Sequence, residues 1–251
     1  MNSFLKYIGG KSILSKQIIP LIPDHKTYVE VFAGAAWLFF KKEPSKIEII
    51  NDINHDLTTL YRIIKHHLEE FAKWFKWMLI GREEYRLIKE QEPESLTDIQ
   101  RAARFYYLLR AGYGGKQSFN YVTSASRRPP INLIRIEEEL SEAHLRLTNA
   151  YIENLPYETC IERFNTDDTF YYLDPPYWNC EDHYGKGIFS KEDFVKLRDL
   201  LRTITGKFIM SINDVPEIRD IYKEFNIITV NTRYSIGGAN KKVGELLIMN
   251  Y

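Results

Sequence analysis

Cysteine is scarce in this chain: two in 251 residues, Cys160 and Cys180. Two thiols cannot close a four-ligand zinc site, and neither a CxxC nor an HExxH spacing is present to bring in histidines. No metal is expected. No apolar run approaches the roughly 20 residues that a bilayer crossing takes, and the residues after Met1 lack the apolar stretch of a signal peptide. The expectation is a soluble, cytoplasmic protein with no membrane partner. Net charge is absent as well, 34 Lys plus Arg against 34 Asp plus Glu, whereas nucleic-acid-binding domains tend to be basic. With 44% hydrophobic and 27% charged residues the chain is globular. About 70–75% of the unfolded surface can be buried at this size without staples, in one large domain or two small ones.

Local charge departs from the global balance. Residues 101–135 hold Arg101, Arg104, Arg110, Lys116, Arg127, Arg128 and Arg135 and no Asp or Glu, interleaved with Phe105, Tyr106, Tyr107, Tyr113, Phe119 and Tyr121. A basic stripe for phosphates is one reading, and a solvated face is the other. The acidic run Glu137, Glu138, Glu139, Glu142 then reads as the first turns of a helix. Upstream, Leu57, Leu60, Ile63, Ile64, Leu68, Phe71, Trp74, Phe75, Met78 and Leu79 recur at spacings of three and four, which predicts an amphipathic helix.

The flanks differ in texture. YVEVF (28–32), IEII (47–50), TFYYL (169–173), FIMSI (208–212), IITVN (227–231) and LLIM (246–249) are short β-branched or aromatic runs, with helical patterns such as 191–203 between several of them. An α/β core of mostly parallel strands is predicted over 1–55 and 151–251, interrupted by a mainly helical insertion over 56–150.

Three motifs carry chemistry. In YVEVFAGAA (28–36) a strand runs into Gly34, Ala35 and Ala36 ahead of a helix at 37–42, letting backbone approach a ligand where open α/β sheets bind nucleotides. Asp52, 20 residues past Phe32, stands at the end of the next strand, where a carboxylate can bridge ribose hydroxyls. The third glycine of a GxGxxG phosphate loop is missing, so an adenosine without pyrophosphate fits better than a dinucleotide; an ordinary tight turn is the competing reading. In Asp174-Pro175-Pro176-Tyr177 two prolines remove two backbone donors beside a carboxylate and a phenol ring. That set suits an aromatic amino group, its hydrogens accepted by the carboxylate and a proline carbonyl and its ring stacked on Tyr177; a stiffened surface turn is the alternative. In KYIGGK (6–11), Tyr7 and Lys11 could face an adenine and a carboxylate, or form a basic tail.

Together the motifs resemble the Dam-like (D12 class, alpha-group) adenine-specific DNA methyltransferases. KYIGGK is similar to that family's N-terminal cofactor motif, VFAGAA to the methionine-side motif, IINDIN to the ribose motif, DPPY to the catalytic motif, and residues 232–251 to its closing strands and loop. The resemblance implies a Rossmann-like S-adenosylmethionine-dependent sheet with an inserted target-recognition domain. It assigns the cofactor to Tyr7, Lys11, Glu30, Phe32, Gly34, Asp52, Ile53 and Asp174, and catalysis to Asp174, Pro175, Pro176 and Tyr177. Contacts to double-stranded DNA fall to Lys6, Arg110, Lys116, Asn120, Arg127, Arg128, Lys241 and Lys242. Ala36 stands where the family commonly has glycine, and Tyr121-Val122-Thr123 follows Phe119-Asn120 where GATC-specific members carry proline and glycine. The implied reaction is methylation of the exocyclic amino group of a flipped-out adenine by a monomer, without metal, in a prokaryotic or phage-infected cell. An RNA adenine methyltransferase and a non-catalytic DNA-binding module are the alternatives.

Overall fold

A computed structural model describes residues 1–5, 14–112, 121, 131, 132, 135–181, 187–236 and 239–251, with the backbone alone over 232–236 and 239–243. Every strand run read from the sequence forms a strand: β1 (Thr27–Glu30), β2 (Ile47–Asn51), β4 (Thr169–Leu173), β5 (Lys207–Asn213), β6 (Asn226–Ile236) and β7 (Ala239–Met249). The short β3 (Ala150–Glu153) was not anticipated, because only its first residue is buried and AYIE carries little pattern. The strands make one sheet in the order β3-β2-β1-β4-β5-β7-β6. β1 pairs in parallel with β2 and β4, and β4 with β5, while β7 runs antiparallel to both β5 and β6. Strands covered on both faces need no polar alternation, and TFYYL is accordingly buried throughout. Strand order reverses between β1 and β4. In open α/β sheets the crevice outside the carboxyl ends at such a reversal is where ligands bind, and here those ends lead into residues 31–34 and 174–177.

The helices are α1 (Ser15–Ile18), α2 (Trp37–Lys41), α3 (His55–His66), α4 (Leu68–Phe75), α5 (Arg82–Glu90), α6 (Asp98–Ala111), α7 (Ile136–Leu147), α8 (Tyr157–Arg163), α9 (Lys191–Leu201) and α10 (Pro216–Ile221). The periodic stripe over 57–79 is two helices, not one. The chain leaves helical geometry at His67 (φ −137°, ψ 38°), the second of two histidines, which are poor helix formers. α3 starts where the Asn54 side chain accepts the N–H groups of Asp56 and Leu57, and Thr97 with Gln100 builds a reciprocal cap on α6.

The chain divides into two compact units. The first comprises Met1–Ser12, Gly34–Lys42 and Asp52–Asn154, and so contains residues 56–150 together with the turn after β1. Its core is aromatic: Phe4 meets Phe40 and Tyr61 edge-on at 5.8 and 5.9 Å, and Tyr106 meets Phe71 and Phe75 edge-on at 5.6 and 5.8 Å. The second comprises Ile13–Ala33, Glu43–Asn51 and Leu155–Tyr251. In it Val29, Tyr171, Phe208, Met210 and Ile248 from the strands pack with Ile161, Phe194, Leu197 and Ile218 from α8, α9 and α10.

Candidate active site

In the second unit the tetrapeptide 174–177 leaves the end of β4 and is held by the strands beside it. Asp174 Oδ1 accepts a hydrogen bond from Ser211 Oγ at 3.2 Å, and Ser211 Oγ lies 2.8 Å from the Tyr172 hydroxyl. Serine has one proton, so once it is given to Asp174, Tyr172 must be the donor to Ser211. Burial first, then the charge of Asp174, pushes the Tyr172 phenol well above its ordinary pKa and keeps that proton in place. Pro175 and Pro176 are buried, and the tyrosine after them is half-buried. The Tyr177 hydroxyl donates to Glu245 on β7. Trp178 is gripped through its backbone: its N–H donates to Asn213 Oδ1 at 2.9 Å and its carbonyl accepts from Asn213 Nδ2 at 3.2 Å. Lys191 Nζ lies 4.7 Å from the centre of the Trp178 ring.

At the end of β1, Glu30 is buried and accepts the Tyr28 hydroxyl at 2.7 Å. The Phe32 ring lies 5.6 Å from Tyr157 and 6.1 Å from Phe189. Asn51 ties this region together, donating to the carbonyls of Val31 and Leu155 and accepting the Leu155 N–H.

In the first unit Gly34 (φ 49°) turns the chain into α2, a left-handed conformation that glycine adopts without steric cost. Its N–H donates to Asp52 Oδ2 at 2.9 Å and its carbonyl accepts the Tyr61 hydroxyl at 2.6 Å. Ala36 is left-handed too (φ 49°, ψ 42°), which explains physically why glycine suits that position. Asp52 Oδ1 accepts the Asn54 N–H at 2.9 Å. Burial raises the Asp52 pKa above its ordinary value, and the two N–H groups only partly offset this. A carboxylate has about four lone-pair sites, so two further donors can be received. Ile53 is 45% exposed.

Of the seven basic residues of the stripe, the described ones, Arg101, Arg104, Arg110 and Arg135, all have partners within the chain. Arg101 pairs with Asp56 and, at 3.0 Å, with Glu94. Arg104 is 7% exposed and donates to the carbonyls of Ile88 and Lys89, both at 3.0 Å. Arg110 is largely covered, 3.7 Å from Glu139 and stacked on Tyr106, and Arg135 pairs with Glu138 at 2.7 Å. Arg101, Arg110 and Arg135 are thus matched by acids that lie outside the segment. Lys6, Tyr7, Lys11, Lys116, Asn120, Arg127 and Arg128 lie outside the described residues, and for Lys241 and Lys242 on β7 only the backbone is described. Arg104→Ala should accordingly act on stability: losing the buried guanidinium and its hydrogen bonds to two carbonyls costs about 1–3 kcal/mol, seen as a melting point lower by several degrees. Duplex affinity measured by filter binding should not change with it, and an unchanged melting point with weakened DNA binding would reverse this assignment.

Ser211, Asn213 and Glu245 were missed by sequence reasoning. The available signal was a polar residue inside an apolar run, FIMSIN and GELLIM, since a buried polar side chain is the informative exception to burial rules. Among the described residues no group of three or more His, Cys, Asp or Glu could hold a metal ion, and no helix is long and apolar enough to cross a membrane.

The chain has relatives along nearly its whole length. The chain is 29% identical to the type II methyltransferase M1.LlaDCHI of Lactococcus lactis subsp. cremoris, covering all of this chain and 96% of the relative. It is 27% identical to the type II methyltransferase M.CviBI of Paramecium bursaria Chlorella virus NC1A over the full length of both. It is also 29% identical to the DNA adenine methylase of Escherichia coli (strain K12), covering 99% of this chain and 95% of that one. Residues 7–236 match one family as a whole, and the protein belongs to it: the D12 class N6 adenine-specific DNA methyltransferases.

Proposed function

We propose that this enzyme transfers the methyl group of S-adenosylmethionine to the exocyclic amino nitrogen of adenine within a specific double-stranded DNA sequence, the base being turned out of the helix to reach residues 174–177. The observation that carries the reading is the Asp174 carboxylate, oriented by Ser211 and Tyr172 beside a proline pair that offers carbonyls and no N–H. The amino group of adenine needs two acceptors and a ring to lie against. Asp174 accepts one hydrogen, a proline carbonyl accepts the other, and Tyr177 supplies the stacking face. Held so, the nitrogen pyramidalises and its lone pair can bond the methyl carbon as the carbon–sulfur bond breaks and the neutral thioether leaves, the surplus amino proton passing by way of Asp174 to solvent, which makes Asp174 an acceptor and polariser more than a conventional base. Inside a duplex that nitrogen is paired and cannot be attacked in line, hence the flipping step.

Each residue assigned to the methyl donor carries a group suited to it. Asp52 keeps room for two ribose hydroxyls after accepting Gly34 and Asn54, Phe32 offers an apolar face, and the turn at Gly34 carries no side chain. When bound, S-adenosylmethionine supplies a sulfonium-activated methyl carbon, and positioning supplies most of the rate. Glu30, Ile53, Tyr7, Lys11 and Asp174 complete the assigned contacts.

For DNA, the assignment rests on Lys6, Arg110, Lys116, Asn120, Arg127, Arg128, Lys241 and Lys242, of which Arg110 also pairs with Glu139 between α6 and α7. If Arg128 meets only phosphate, Arg128→Ala weakens all sequences alike and lowers the log–log salt slope by about one; a base contact instead costs about 1–3 kcal/mol at a single position. Titration of duplex binding against salt decides between the two. The reaction itself is tested by incubating the protein with tritium-labelled methyl donor and mixed DNA or RNA and mapping the product. Label on the N6 of adenine in duplex DNA at one sequence is expected, and label confined to RNA, or none, overturns the reading.

A further inference from the structure

Glu245 is 1% exposed. It lies on β7, in register with Asn213 of β5 on one side and Val230 of β6 on the other. Burying a carboxylate between two strands is costly unless donors meet it, and one of the donors here is the hydroxyl of Tyr177. We infer that Glu245 is a positioning residue for methyl transfer, setting the orientation of the Tyr177 ring through its hydroxyl; this rests on the reading that Tyr177 stacks on the target base.

The geometry supports more than anchorage. A phenolic O–H lies in the plane of its ring, so an acceptor at one fixed place sets the rotation of the ring as well as the position of its tip. A hydrogen bond from a neutral hydroxyl to a carboxylate is of the strong, charge-assisted kind. The neighbouring residue is held at the same time, because Asn213, the register partner of Glu245, takes both backbone groups of Trp178. Stacking by itself asks only for an aromatic ring, and phenylalanine would serve. The hydroxyl adds a fixed angle, which matters when a flipped base has to present its lone pair in line with the methyl carbon.

The test compares Tyr177→Phe, Glu245→Leu, Glu245→Gln, Tyr177→Ala and the double change Tyr177→Phe with Glu245→Leu. Read-outs are kcat, the Kd of the methyl donor, and fluorescence of 2-aminopurine placed at the mapped methylation site. Tyr177→Phe and Glu245→Leu should each lower kcat by roughly ten- to a hundredfold and shift the fluorescence of the flipped base, with the donor Kd unchanged. Glu245→Gln, which keeps an acceptor oxygen, should stay within a few-fold of wild type. The double variant should lose no more than the worse single one, since the two changes remove the same bond. Wild-type kcat in Tyr177→Phe, or losses that multiply in the double variant, would overturn the inference. Should Glu245→Leu fail to fold, Tyr177→Phe, which deletes one oxygen atom, carries the test alone. Full turnover in Tyr177→Ala would instead remove the stacking reading on which the inference rests.

Discussion

Asp174→Ala is expected to lower kcat by two to three orders of magnitude while the melting point stays close to wild type and the donor Kd, to which Asp174 is one of eight assigned contacts, rises only a few-fold. The amino group loses the acceptor that draws it out of plane, at a point where oriented electrostatics contribute about 3–4 kcal/mol in comparable sites. The protein loses little in exchange. Ser211 gives up one acceptor but keeps Tyr172 beside it, and Asp174 itself is only half-buried after β4. Single-turnover measurement with saturating donor isolates the chemical step, and near-normal rates there would mean that the 174–177 assignment is wrong.

The second large effect concerns donor binding. Asp52→Asn should raise the donor Kd by about tenfold or more, and Asp52→Ala by more again. A hydrogen bond to a charged acceptor contributes about 1.5–3 kcal/mol, and alanine also strands the N–H groups of Gly34 and Asn54 that the carboxylate now receives. The sign of the pH effect follows from the raised pKa. The ionised form is what accepts hydroxyl donors, so wild-type affinity falls as pH drops through that raised pKa, earlier on the way down than for an exposed aspartate. Asp52→Asn has nothing to titrate there and should show no such fall. Stability runs the other way: a carboxyl whose pKa rises on folding favours the fold when protonated, and that contribution is lost as pH rises through the folded value. Calorimetry of donor binding from neutral to mildly acid pH reads both variants, and unchanged affinity in Asp52→Asn would remove this residue from the site.

Much of the framework was legible because covered parallel strands are near-continuous apolar runs that stand out from charged helices. TFYYL is β4 to the residue. The Asp174–Tyr177 tetrapeptide, the proposed catalytic segment, stood out because all four groups are adjacent in sequence. What supports it did not, because Glu245 is 68 residues from Tyr177 and Ser211 is 37 from Asp174; only the pairing of strands brings them together. The same limit applies to Arg101 in the basic stretch. Asp56 is 45 residues from Arg101, so a window that scans the charge of one segment cannot see the acid that neutralises it. The break at His67 escaped because the buried stripe continues on both sides of it, Leu60 and Ile64 before and Phe71 and Phe75 after.

The place of β7 bears on how the enzyme comes into being. β7 is synthesised after β6 yet lies between β5 and β6, so while β6 leaves the ribosome its natural docking edge on β5 has to stay open by the width of one strand, about 4.8 Å. The two strands pair residue for residue from Asn226–Met249 to Ile236–Ala239, a local ribbon that forms quickly by itself and then adds to the sheet with β7 inward. Glu245 travels on that ribbon. A nascent chain that already carries Asp174 and Tyr177 therefore lacks the carboxylate that meets the Tyr177 hydroxyl until β7 is in place, so the proposed site is complete only once the last strand has joined the sheet.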